Sequence, residues 1–235
     1  MKLELKNAQK DIIKDNDVVL ICGDGKLLLR DIKIFLDWMV PHDAYCIGRS
    51  IKAYPGAVTH YADVDGDAGF WVAANVEKNN PDKVGDAGYI CKHTLGGTTA
   101  FDFDWNIDGS PWDMDEILWH GSTGLFAVLS ALSMGYKKIV LAGMPIDSKG
   151  HWYFPDEKYG PKWTMETYQA WFELKALAGS AKIRSLSGYT ALLMGEPTKK
   201  WLIHGIKKRS PNKDNAGQAL AKRKSGPGNA KAAAK

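Results

Sequence analysis

The run Asp17-Val18-Val19-Leu20-Ile21-Cys22 is apolar at every position after the first and stops at Gly23-Asp24-Gly25. A strand that faces water on one side alternates. One that is apolar on both faces has to be covered from above and below, as a central strand of a parallel sheet is. From Leu27 to Met39 the apolar residues Leu28, Ile32, Phe35, Leu36 and Met39 recur at helical spacing, and Pro41 ends the pattern. A second short run, Ala44 to Ile47, then ends at Gly48-Arg49-Ser50. Strand, helix and strand at that interval make a βαβ unit.

The rest of the chain is read around that unit. Ala57–Tyr61 is expected as a third strand, closing at Asp63-Val64-Asp65-Gly66-Asp67. Phe70–Val76 reads as a short helix, Gly88–His93 and Thr99–Phe103 as strands, with a turn at Gly96-Gly97. Ser122 is a natural N-cap for a helix with the apolar stripe Leu125, Val128, Leu129 and Leu132, and Gly135 supplies its stop. Lys138–Ala142 is the buried strand after it. A long helix over Thr164–Ala178 and a last strand over Lys182–Leu186 complete the pattern. The expectation is a single α/β domain, residues 1–205, with a Rossmann-like, mainly parallel sheet and helices on both faces.

Charge separates this domain from the last thirty residues. Residues 207–235 carry nine Lys/Arg against one acidic residue, Asp214, so the net +4 of the chain leaves about −4 on the remainder. With so little apolar surface, 206–235 reads as a flexible basic tail. It either contacts nucleic acid or an acidic protein, or simply solubilises. No run of eighteen apolar residues spans a membrane, and the start of the chain has no apolar signal core. Cys22, Cys46 and Cys91 fall inside expected strands without metal-ligand spacing. Together these point to reduced cysteines and a cytoplasmic setting.

Ligands of a parallel α/β sheet sit at the carboxyl ends of its strands. Gly23, Asp24 and Gly25, then Gly48, Arg49 and Ser50, fall at two such ends. Gly121, Ser122, Thr123 and Gly124 open a helix, where free N–H groups and the dipole favour an anion. A tight turn with a cap explains the same residues equally well. Asp63, Asp65 and Asp67 suggest either a divalent cation or a solvated acidic turn; Asp65 is kept as the candidate magnesium ligand. Asp102, Asp104 and Asp108 raise the same question more weakly. His151, just past Gly143–Asp147, is the candidate base, with Asp147 beside it. The alternative is a surface histidine stacked on its aromatic neighbours. Trp152 to Trp163 is an aromatic stretch that forms either a lid or a structural loop.

The segment Gly121-Ser122-Thr123-Gly124-Leu125 through Ala131-Leu132-Ser133-Met134-Gly135-Tyr136 to Ile139-Val140-Leu141-Ala142-Gly143 resembles one found in a superfamily. Its members are bacterial sialyltransferases, motility-accessory glycosyltransferases and pterin-diphosphokinase-like proteins. Val19 to Gly25 resembles their first strand, although Lys26-Leu27 stands where they have Pro-Ser. The short, tail-bearing form is similar to phage-encoded members. The resemblance implies a transferase using a nucleotide or nucleotide-sugar donor on a hydroxyl acceptor. It also leaves open a magnesium-dependent diphosphokinase, or a non-catalytic nucleotide-binding protein.

Overall fold

A computed structural model of the chain describes residues 2–8, 11–64, 67–85, 88–95, 102–108, 123–154, 156, 161–178 and 182–204. Among the described residues eight strands form one sheet. In chain order they are β1 (Lys2–Ala8), β2 (Val18–Cys22), β3 (Asp43–Ile47), β4 (His60–Ala62), β5 (Cys91–Leu95), β6 (Phe103–Asp108), β7 (Lys138–Ala142) and β8 (Ile183–Ser185). Their spatial order is β1-β6-β5-β4-β3-β2-β7-β8. Every neighbouring pair is parallel except β1 with β6. The sheet is α/β and Rossmann-like, mainly parallel, as the apolar runs require.

The helices are α1 (Leu28–Leu36), α2 (Ser50–Ala53), α3 (Asp67–Asn79), α4 (Thr123–Ser133), α5 (Pro161–Ala178), α6 (Gly188–Met194) and α7 (Lys199–Ile203). They cover both faces because the strands alternate. Val19 and Ile21 of β2 share one apolar core with Leu125 and Leu129 of α4 and with Trp171 and Leu174 of α5. The intervening Val18, Leu20 and Cys22 are equally buried but point the other way. That is the side where α1 buries Leu28, Ile32 and Phe35, none of which joins the first core.

Several boundaries move from their expected places. The strand expected over Ala57–Tyr61 is β4, His60–Ala62, and Val58 makes only an isolated bridge to Val84. The helix expected over Phe70–Val76 runs from Asp67 to Asn79. The strand expected over Thr99–Phe103 begins at Phe103 and continues to Asp108. Strand β1 is a further element that the apolar pattern does not announce. The turn at Gly96-Gly97 and the tail lie outside the described residues. Asp102 is a packing group: it is buried, accepts the Lys92 N–H at 3.1 Å and lies 3.8 Å from Lys92 Nζ. The three cysteines are free and buried in β2, β3 and β5.

A polar thread crosses the core towards the amino ends of the strands. The indole of Trp105 donates to His93 Nδ1 at 3.0 Å. An indole N–H can only donate, so the His93 proton must sit on Nε2, which lies 3.0 Å from His60 Nδ1. His60 then carries its own proton on Nε2, 2.8 Å from the Tyr136 hydroxyl. Tyr136 donates to Asp43 Oδ2 at 2.6 Å. That carboxylate also receives the side-chain amide of Asn16 at 2.7 Å and the backbone N–H groups of Asp15 and Asn16. Both imidazoles are neutral, one-way links. Burial depresses the His60 pKa to about 3; burial, then the neighbouring His60, holds His93 well below its ordinary value.

Candidate functional site

The strand order reverses beside β2. From β2 the chain steps through β3, β4, β5 and β6 to one side, then returns to place β7 and β8 on the other. At such a switch point the loops leaving β2 and β7 run in opposite directions, and a crevice opens between them. A cavity of about 430 Å³ occupies this crevice.

Its inner wall is a seam between the two loops. The Gly23 N–H donates to the Ala142 carbonyl at 2.9 Å and the Gly25 N–H to the Gly143 carbonyl at 2.8 Å. A Cβ on Gly25 would lie 2.5 Å from Pro145 Cδ and 2.6 Å from the Gly143 carbonyl oxygen. These glycines are required by the approach of two backbones, and their N–H groups are already committed. Asp31, wholly buried on α1, fastens the seam from behind. Its Oδ2 accepts the Gly143 N–H at 3.0 Å and the Ser187 hydroxyl, while Arg30 holds Oδ1 at 3.0 Å.

Asp24 stands between the seam glycines and lines the cavity. Its Oδ2 accepts the Arg49 backbone N–H at 3.1 Å and its Oδ1 the Trp152 indole at 3.3 Å. Burial raises its pKa to about 6, against the lowering effect of those two donors. Asp24 therefore changes charge near neutral pH, a range useful for proton transfer. Gly48 turns with φ of +51°, and a Cβ there would lie 2.7 Å from Asp24 Oδ2.

The segment after β7 folds back onto this carboxylate. The Lys26 N–H donates to the Gly150 carbonyl at 3.1 Å, and the Trp152 N–H to the Asp24 carbonyl at 3.0 Å. Gly25 and His151 form an isolated antiparallel bridge. The arm 150–154 is thus tied to the β2 loop. It brings His151 to the cavity wall, stacked on Tyr153 with centroids 4.9 Å apart and planes 13° apart. The stack on an aromatic neighbour is as expected, and the same residue lies in the cavity wall. Asp147 also lines the cavity, where its Oδ1 accepts the Lys149 N–H at 3.0 Å. Ile146, just before it, has φ of +49°, a strained conformation for a β-branched residue.

The other expected residues divide between the cavity and its surroundings. Thr123 and Gly124 open α4 at the cavity; Gly121 and Ser122 lie outside the described residues. Arg49 is not a lining residue; its guanidinium lies 4.6 Å from the ring centroid of Tyr153, which does line the cavity, and 5.5 Å from that of Phe154. Ser50 does not reach the cavity. It is fully buried, and its hydroxyl joins Cys22 and Ile47 beneath the floor. Asp65 lies outside the described residues. Because β4 ends at Ala62, Asp63 is the carboxylate at the strand end, and it lines the cavity. Among the described residues no group of three His, Cys, Asp or Glu is placed to hold a metal ion.

Trp171 and Thr167, buried on α5, also line the cavity, and no sequence motif singles them out. Sequence reasoning also passes over Asp63 in favour of Asp65. The signal that would correct this is the position at which β4 ends.

No protein-family model and no curated protein matches the chain. Among solved structures the chain is similar to the MAf glycosyltransferase from Magnetospirillum magneticum AMB-1, at 14% identity and a TM-score of 0.48. That likeness covers 93% of this chain, which spans 38% of the length of the other. No described helix is long and apolar enough to cross a membrane.

Proposed function

We propose that the chain is a transferase that seats a nucleotide-activated donor in the switch-point cavity and passes the activated group to a hydroxyl acceptor. The observation that carries this reading is the 430 Å³ cavity where the strand order reverses, with the first turn of α4 and His151 in its walls. In a glycosyl transfer His151 would take the acceptor proton as the acceptor oxygen bonds to the anomeric carbon. The bond from that carbon to the phosphate oxygen breaks, and the nucleotide leaves with the electron pair. Asp24 ties down the arm that carries His151. Thermal-shift screening against CMP, UDP, GDP, ATP and their sugars, with and without magnesium, tests the reading. Failure of every one to stabilise the chain counts against it.

The carboxylates Asp24, Asp63 and Asp147 in one cavity wall favour a second reading, magnesium-dependent diphosphate transfer. Magnesium commonly uses one or two carboxylates, so Asp63 with Asp65 would hold it. Ligand stabilisation that appears only with magnesium and vanishes in Asp63→Asn or Asp65→Asn supports this reading over metal-free glycosyl transfer. For the basic tail we propose electrostatic contact with nucleic acid or an acidic protein. The buried free cysteines fit a reducing, cytoplasmic setting.

A further inference from the structure

Resting on the nucleotide-donor reading, we infer that Arg49 is the phosphate-binding fork of the site, so that the donor lies with its nucleoside inward and its phosphate outward. Three observations converge on this polarity. The cavity wall carries Asp24, Asp63 and Asp147 and, among its described lining residues, no Lys or Arg. Carboxylates repel a phosphate, but they accept hydrogen bonds from ribose hydroxyls and base amino groups.

The glycine loop after β2 is not a phosphate cradle. The Gly23 and Gly25 N–H groups that would have served one donate to Ala142 and Gly143 instead. A Cβ on either glycine would run into the opposing loop, so the small residues answer to the seam.

Arg49, next to the lining residue Gly48 and over the lining residue Tyr153, has the matching chemistry. Its guanidinium lies over the rings of Tyr153 and Phe154. A guanidinium attracted to the face of an aromatic ring spends none of its N–H donors on that contact, so they remain available for a bidentate oxyanion. Among the described residues no carboxylate or carbonyl accepts from those donors. Tyr153, under the guanidinium, itself lines the cavity, so a ligand filling the cavity reaches Arg49 without leaving the wall. The arm that carries the two rings is held by the Asp24–Trp152 contacts.

The test is isothermal titration of the full chain with cytidine, uridine, adenosine and guanosine, each beside its 5′-monophosphate and 5′-diphosphate. For the base that binds, the nucleotide is expected to bind at least tenfold more tightly than its nucleoside. Arg49→Ala should erase that ratio while leaving the nucleoside Kd within about twofold, and Arg49→Lys should restore only part of it. The backbone N–H that residue 49 gives to Asp24 is kept in both variants, so an unchanged Tm confirms that they are folded. A ratio that persists in Arg49→Ala overturns the inference and moves the phosphate elsewhere, with the first turn of α4 the nearest alternative. A ratio near one in the unmodified chain overturns it too. If no nucleoside or nucleotide binds, the donor reading itself fails, and the inference with it.

Discussion

Acid should unfold this protein through its two threaded histidines. Both are wholly buried and neutral, whereas in the unfolded chain each gains a proton near pH 6.5. The unfolded state therefore binds more protons than the native one below that pH. Stability is fully present above about pH 6.5 and is lost as pH falls towards about 3, where His60 protonates even when folded. Between pH 7.5 and 5.0 each histidine should cost about 2 kcal/mol, a figure set almost entirely by the unfolded value. Asp24 opposes them. Its pKa, raised to about 6, makes the folded state take up a proton first and returns about 1 kcal/mol over the same interval. The net loss should be about 3 kcal/mol, a large part of the ~5–15 kcal/mol typical of a domain. Urea denaturation at pH 7.5, 6.5 and 5.0 measures it. The comparison is His93→Gln, whose amide can still accept from Trp105 and donate to His60 but does not titrate. That variant should lose about 2 kcal/mol less between pH 7.5 and 5.0 than the unmodified chain. Parallel pH profiles for the two proteins would refute the assignment of neutral, singly oriented imidazoles.

Two further substitutions probe the site. Gly25→Ala should destabilise the fold by about 1–3 kcal/mol, because its Cβ would lie 2.5 Å from Pro145 Cδ and 2.6 Å from the Gly143 carbonyl oxygen. Urea midpoints check this, and a neutral result would mean that the seam yields. Asp24→Asn should stabilise the chain by about 1–3 kcal/mol at pH 8, where the buried carboxylate is ionised at a cost, with the gain shrinking towards pH 4.5. The same titration series reads it, and a gain that grew on acidification would contradict the raised pKa.

The parts of the fold legible in the sequence are those where burial on both faces leaves no alternative. The runs at Val18–Cys22 and Lys138–Ala142 stand out because five residues with almost no polar alternation suit little else. Strand β1 does alternate, Lys2-Leu3-Glu4-Leu5-Lys6, but a reading that looks for runs apolar on both faces passes over it, and its pairing comes from β6, about a hundred residues away. Short elements such as α2 and α6 carry too few turns for a period to show. At the site, the glycines advertise a close approach but not which partner approaches. Phosphate and protein backbone ask the same thing of a residue, the absence of a side chain. The pairing of His151 with the β2 loop is a tertiary bond that no local pattern encodes.

The seam has a consequence for how this site can change over generations. Gly23, Gly25, Gly143 and Pro145 meet within contact distance across the point where the two halves of the sheet part. A larger residue on either loop is tolerable only if the other loop withdraws, so these positions should vary as a group or not at all. The inner wall is the sterically constrained part of the site. New ligand preferences must be written on the outer pieces, the 150–154 arm and Arg49, which can be altered one residue at a time without unpicking the sheet.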